Sequence, residues 1–274
     1  MTTAASSTGF AGDPRGFRRG RLSTANAASR IWLRHTGCYH ADTMIDVLLR
    51  RLTSNAELLE EYASLRGRLH LARGPNARKS ILATSAQPRE GKTTVIVNLA
   101  LATMRAGRRV AVLDADMRKP RIHEVLDLPN TIGLSDVLAG HAHAGDVIQT
   151  VKTAGDDVGE ASLSVITAGR GTGFAEALGE PVMRDAIKDL TGICDAVLVD
   201  SPPVLAADDA LRLAPFVEGV IVVVHTGVAT EDDVKLTKTR LEDAGGRVLG
   251  VVMNRFDPRV HGPSSHPYSA YYQG

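Results

Sequence analysis

Short, nearly unbroken apolar runs alternate along this chain with longer stretches of helical spacing. The runs are Ser80-Ile81-Leu82-Ala83-Thr84, Arg109-Val110-Ala111-Val112-Leu113-Asp114, Leu163-Ser164-Val165-Ile166, Ala196-Val197-Leu198-Val199-Asp200, Val220-Ile221-Val222-Val223-Val224 and Val248-Leu249-Gly250-Val251-Val252. They are rich in β-branched residues and mostly lack polar alternation, which predicts strands buried on both faces. Residues 95–106, 174–190, 207–213 and 231–244 read as helices between them. One more helix is predicted over 44–72, from Met44, Val47, Leu48, Leu52, Leu58, Leu59, Leu65, Leu69 and Leu71, with Gly74-Pro75-Asn76 as its stop. Strand and helix in alternation predict an α/β fold: a mostly parallel sheet with right-handed crossovers, flanked by helices on both faces.

The ends lack this periodicity. Residues 1–42 are rich in Ala, Ser, Thr, Gly and Arg, with six arginines (Arg15, Arg18, Arg19, Arg21, Arg30, Arg34) against Asp13 and Asp42. They are expected to form a disordered basic tail; a start at Met44 is the other expectation, and a basic arm on anionic lipid is a third reading. Residues 257–274 carry Pro258, Pro263 and Pro267 and are expected to form a flexible C-terminal tail. The folded domain is placed at 43–256.

Composition sharpens the picture in three places. Aromatic residues are only 4% of the chain against 43% hydrophobic, so the core is aliphatic. A net charge of +1, from 32 basic and 31 acidic residues, gives no bulk attraction to nucleic acid, and none is expected as a partner. The two cysteines, Cys38 and Cys194, have no metal-ligand spacing and read as reduced thiols. His141 and His143 read as solvated loop residues. No run approaches the ~18 apolar residues that span a bilayer, so a cytoplasmic protein is expected.

The chemistry concentrates where the first predicted strand ends. Ser85-Ala86-Gln87-Pro88-Arg89-Glu90-Gly91-Lys92-Thr93-Thr94 follows that strand and precedes an apolar helix. Strand, loop and helix in this order place backbone N–H groups around an anion. Gln87 through Thr94 are therefore the candidate phosphate cradle for ATP. Lys92 brings a compact positive charge to the β- and γ-phosphates, and the Thr93 hydroxyl is suited to Mg²⁺. The loop keeps Gly91-Lys92-Thr93 but has Ala86 at the first glycine of the general pattern. Asp114 and Asp200 each close an apolar strand, and Asp116 follows two residues after Asp114. Carboxylates there lie on the rim where open α/β sheets bind ligands. Asp114, Asp116 and Asp200 are the candidate catalytic carboxylates beside Lys92, with Thr93, Asp114 and Asp200 the candidate Mg²⁺ ligands.

These motifs resemble those of the bacterial tyrosine kinase (BY-kinase) family, of the CpsD/CapB type. Val112-Leu113-Asp114-Ala115-Asp116-Met117-Arg118-Lys119-Pro120-Arg121-Ile122-His123 is similar to the family's second acidic motif, and Leu198-Val199-Asp200-Ser201-Pro202-Pro203-Val204-Leu205 to its third. Asp209-Ala210, Gly133 to Gly140 and Val251-Val252-Met253-Asn254-Arg255 match further landmarks, and the resemblance spans about Leu58 to Phe256. It implies a P-loop NTPase fold, an ATP- and Mg²⁺-dependent protein-tyrosine autokinase, and control of capsular or exopolysaccharide biosynthesis and export. It also implies Asn254 and Arg255 as nucleotide contacts, a homo-oligomer, and phosphate acceptors in a C-terminal tyrosine cluster, here Tyr268, Tyr271 and Tyr272. Either Asp114 or Asp116 would receive the tyrosine proton. The implied partner is a membrane-spanning polysaccharide co-polymerase whose cytoplasmic segment activates the kinase and recruits it to the inner face of the plasma membrane.

Two positions depart from the family pattern. Arg89 stands where glycine is usual, and Ala63 replaces the middle arginine of a Glu-x-x-Arg-x-x-Arg ring motif that otherwise reads Glu60 and Arg66. Two alternatives stay open on the sequence: a MinD/ParA-like ATPase, against which stands Gln87 where that group has lysine, and a catalytically weak nucleotide-dependent scaffold.

Overall fold

Each central strand sends its side chains alternately into two separate apolar layers, which is why the strand runs show no polar alternation. The computed structural model describes residues 48, 52, 54–69, 71, 79–151, 162–171 and 173–255. Within them β1 (Ser80–Ser85), β2 (Arg109–Asp114), β3 (Gln149–Val151), β4 (Ser162–Ile166), β5 (Ala196–Asp200), β6 (Gly219–His225) and β7 (Val248–Asn254) form one seven-stranded sheet, in the order β3-β4-β2-β5-β1-β6-β7. All neighbours are parallel except β3, which runs antiparallel to β4. Ile81, Val110, Val112, Leu198, Ile221 and Val223 face one layer; Leu82, Ala111, Leu113, Val197, Val199, Val220 and Val222 face the other.

On the first face lie α1 (Ala56–Arg68) and α2 (Lys92–Arg105), with α3 (Ile122–Leu126) beside them. The second face is covered by α4 (Leu134–Leu138), α5 (Pro181–Ile193), α6 (Asp209–Leu213) and α7 (Glu231–Asp243). The seat of α2 is nearly all apolar: Val95, Ile96, Leu99, Ala100 and Leu101 are all buried. Full burial of such side chains contributes about 1.5–3 kcal/mol each for the larger ones. The helix that carries the phosphate loop is therefore clamped between the sheet and α1.

The six predicted strands are present, and three helical boundaries are corrected. The helix expected over 44–72 is interrupted at Asn55, which is extended (φ −109°, ψ 92°) and caps α1 by accepting from the Leu58 amide at 3.0 Å. The helix expected from 174 begins at Pro181, which fixes φ and lacks an N–H, so the chain before it forms a 3₁₀ turn over Glu176–Gly179 instead. The segment expected from 207 becomes α6 only at Asp209. Strand β3 was not predicted: it has three residues, two of them half-buried, at the edge of the sheet. The predicted tails at 1–42 and 257–274, with Tyr268, Tyr271 and Tyr272, lie outside the described residues. Cys194 is buried, and burial pushes its thiol up to about 11. His141 and His143 are exposed, as expected.

Candidate functional site

Three neighbouring central strands, β2, β5 and β1, deliver the predicted carboxylates and phosphate loop to the carboxyl-terminal end of the sheet, with Asn254 arriving from the end of β7. Beyond β1 the chain turns through residues 86–91 into α2. Gly91 has φ 93° and stands at the N-cap with no side chain to cap the helix. The first amides of α2 therefore point outward without an internal acceptor, as an anion site requires. A Cβ on Gly91 would sit 2.0 Å from Asn254 Nδ2, so glycine is required here on both counts. Ala86 is fully buried and is not among the residues with positive φ, which explains why the first glycine of the general pattern is dispensable. Arg89 has φ 65°, a conformation that favours glycine.

The loop is braced from inside. Glu90 is completely buried and accepts from the Gln87 amide at 2.7 Å and the His225 amide at 3.2 Å. Asn254, at the end of β7, donates its Nδ2 to the Glu90 carbonyl at 2.9 Å. The Lys92 ammonium donates to Ser85 Oγ at 3.1 Å. Burial pulls the Lys92 pKa down, while Asp200, Asp116 and Glu90 pull it up. Pro88, Arg89 and Thr94 are exposed at the mouth of the loop, and Arg255 is exposed beside Asn254.

Across the loop the strand-end carboxylates meet. Asp114 and Asp200 are paired in register on β2 and β5. The Thr93 hydroxyl donates to Asp200 Oδ2 at 2.5 Å, and Asp200 Oδ1 is buried with no partner. Burial pushes Asp200 up to about 6, opposed by the Thr93 hydrogen bond and by Lys92. Asp114 is raised well above the usual carboxylate range, by burial and then by Asp200, with the Ile122 amide opposing. Both Asp114 oxygens serve the turn that follows: Oδ1 accepts from Asp116 N at 3.3 Å, and Oδ2 from Arg121 N at 3.1 Å and Ile122 N at 2.9 Å. Asp116 is half-buried, and its Oδ1 accepts from the Arg118 and Lys119 amides at 3.3 and 2.9 Å.

Of the three residues expected to hold a cation, Thr93 and Asp200 touch, and the orphaned Asp200 oxygen is a hard donor without a partner. Among the described residues no group of three or more His, Cys, Asp or Glu could hold a metal ion. One carboxylate and one hydroxyl suit Mg²⁺, which takes few protein ligands and draws the rest from water and phosphate.

Known proteins share this sequence and fold. A family model described as ParA, NUBPL iron-transfer P-loop NTPase, matches residues 76–261. The tyrosine-protein kinase YwqD of Bacillus subtilis is 32% identical over 196 residues, which cover 71% of this chain and 80% of that one. The chain belongs to the bacterial tyrosine kinase family, within the ParA-type P-loop NTPases. Among solved structures, the chimerical protein CapA2B2 matches this family member with a TM-score of 0.67 at 30% identity, covering 83% of this chain and 96% of that one. The septum site-determining protein MinD of Pyrococcus horikoshii, complexed with Mg-ADP, matches with a TM-score of 0.54 at 26% identity, covering 70% and 75% of the two chains.

Set within the family, the two departures acquire structural settings. Arg89 occupies a left-handed position of the loop. Ala63 is half-buried on α1, and the neighbouring Arg66 donates to the Ala102 carbonyl at 2.9 Å, tying α1 to the phosphate-loop helix. Several contributors escaped the sequence reading. Ser85 closes β1 and accepts from the Lys92 ammonium, a role its residue type does not mark. Arg118 and Asp209 were noted as parts of motifs without a role, yet they form a bidentate pair at 2.9 and 3.0 Å. No helix among the described residues is long and apolar enough to cross a membrane.

Proposed function

We propose that this chain is an ATP-dependent protein-tyrosine autokinase that phosphorylates Tyr268, Tyr271 and Tyr272 of a neighbouring copy and so regulates the biosynthesis and export of capsular or exopolysaccharide. The observation that carries the proposal is the Lys92–Thr93–Asp200 constellation, a buried lysine and an orphaned carboxylate oxygen facing an uncapped helix N-terminus. Residues 87–94 cradle the phosphates, and Lys92 neutralises charge on the β- and γ-oxygens. Thr93 and Asp200 would hold Mg²⁺, which supplies charge neutralisation at the phosphates. Asn254 and Arg255 border the nucleoside end.

In the transfer step the tyrosine oxygen bonds to the γ-phosphorus and the bond to the β–γ bridging oxygen breaks. ADP leaves, and the phenolic proton passes to a carboxylate. Asp116 suits that role better than Asp114, because it is half-exposed and the turn's amides engage only its Oδ1. Asp114, buried with both oxygens engaged, holds the turn. The domain spans 43–256 between a basic N-terminal tail and the tyrosine-bearing tail. Its partner is the cytoplasmic segment of a membrane-spanning polysaccharide co-polymerase, which recruits it to the plasma membrane.

Incubation with Mg-ATP, with and without such a segment, followed by anti-phosphotyrosine blotting and mass spectrometry, tests this. Phosphate is expected on the three tail tyrosines, and none in Lys92→Met. ATP hydrolysis without phosphotyrosine would favour a MinD-like ATPase, the reading to which the Mg-ADP-bound MinD likeness lends weight.

A further inference from the structure

Between the turn after β2, the segment after β5 and α7, a cleft of about 390 Å³ is lined by Arg118, Val204, Asp208, Asp209, Arg212 and Arg240 among others. Arg118 pairs with Asp209 and Arg240 with Asp208, and the pairing has a direction. Asp209 opens α6 and is 1% exposed. Ala210 and Leu213, the next residues of that helix to face inward, are completely buried in the second apolar layer, so the carboxylate stands on a fixed base. Arg240 of α7 steadies the same base, donating to the Val204 carbonyl and to Asp208 Oδ1, each at 3.2 Å. From this base Asp209 accepts both Nε and Nη2 of Arg118, at 2.9 and 3.0 Å. Arg118 belongs to the turn whose amides bind Asp116 Oδ1, its own amide at 3.3 Å and that of Lys119 at 2.9 Å.

A planar fork held by two parallel hydrogen bonds fixes orientation as well as distance, which an ammonium on a flexible stem does not. We propose that Asp209 is a positioning residue for phosphoryl transfer: through Arg118 it locks the turn that presents Asp116 to the acceptor hydroxyl. This rests on the kinase reading above. The cleft is thus a clamp joining the β2 loop, α6 and α7, and Asp209 acts without touching substrate. Arginine at 118 is specified by the bidentate seat.

The test uses the full chain with Mg-ATP and the activating segment. Arg118→Lys and Asp209→Asn are each expected to lower the phosphorylation rate constant by roughly 10- to 100-fold, as loss of alignment does. The dissociation constant for Mg-ATP should stay within about twofold of the parent in both, because the phosphate loop is held by other contacts. Guanidinium ion is expected to restore part of the rate in Arg118→Ala and none in Arg118→Ala combined with Asp209→Asn, where the receiving carboxylate is gone. Backbone hydrogen exchange at residues 116–121 of the nucleotide-free protein should speed up by roughly tenfold in Asp209→Asn, with residues 87–94 unchanged. Rates within twofold of the parent, a fall in rate matched by an equal loss of nucleotide affinity, or unchanged exchange at 116–121 would each overturn the proposal. A parent chain without turnover would count against the kinase reading alone, since the exchange measurement still reads the clamp.

Discussion

Lys92 is buried at 7% exposure, yet its nearest hydrogen-bond partner is a neutral hydroxyl. A cation in that position gains most when an anion arrives. Lys92→Met is therefore expected to lower Mg-ATP affinity about 10- to 100-fold, corresponding to about 1.5–3 kcal/mol for a lost charge-assisted contact. Calorimetric titration checks this, and unchanged affinity would remove the loop from the nucleotide site. Asp200 predicts the opposite balance between stability and activity. Its carboxyl is pushed up to about 6 by burial, so its ionised form is disfavoured in the folded, unliganded protein. That cost is absent below about pH 4, grows as the pH rises toward 6, and is complete above it. Asp200→Asn should therefore stabilise the unliganded fold at pH 7.5 by on the order of 1–3 kcal/mol, and by less at pH 4.5. Phosphorylation should be lost. Urea unfolding at the two pH values, beside a phosphorylation assay, decides it. Lys92, Thr93 and Asp200 were legible in the sequence because residue type and strand-end position are local signals. The Arg118–Asp209 pair was not, because its partners lie 91 positions apart and nothing local marks a bidentate seat.

At the level of elements, the parallel strands could be read because burial on both faces leaves a continuous apolar run. Short, edge-bound β3 carries no such signal, and Pro181 shifted a helix start that apolar spacing alone placed too early. Helix α7 shows what fixes a start well. Thr230 accepts from the Asp233 amide at 3.1 Å while Asp233 accepts from the Thr230 amide at 3.0 Å. Only Thr237 and Leu241 of this helix are fully buried, so the cap carries a large share of its stability. Thr230→Ala should cost about 1 kcal/mol, read as a lower urea midpoint, with Mg-ATP binding unchanged. Because Arg240 of the same helix braces the clamp, hydrogen exchange should rise at residues 204–209 as well.

For the whole molecule, the proposed tail chemistry joins catalysis to assembly. Each phosphate adds about −1.5 to −2 charge at neutral pH. Phosphates on Tyr268, Tyr271 and Tyr272 would place that charge in a short segment facing bound ATP. The unphosphorylated chain should self-associate and the phosphorylated one dissociate. Replacing all three tyrosines by Phe should abolish phosphorylation and leave ATP binding as in the parent. Analytical ultracentrifugation before and after incubation with Mg-ATP reads the assembly, and mass spectrometry locates the phosphates. Phosphate confined to Tyr39 or Tyr62, or an assembly indifferent to phosphorylation, would refute this mechanism.

The position of β5 between β2 and β1 has a consequence for how the protein comes into being. Strands β1 and β2 are neighbours in sequence but not in the sheet, and the gap between them is filled by Ala196–Asp200, whose Val197 pairs with Ser80. During synthesis the phosphate loop leaves the ribosome more than a hundred residues before the carboxylate that faces it. Until β5 inserts, Thr93 has no Asp200 to bind, and β1 and β2 present unpaired edges. Contacts so distant in sequence form slowly. A nucleotide that binds the completed sheet in preference to earlier forms would pull the insertion of β5 forward by mass action. On the proposed reading ATP would then be a folding ligand as well as a substrate, and a nascent chain that ends before Asp200 would carry the phosphate loop without the carboxylate that Thr93 binds.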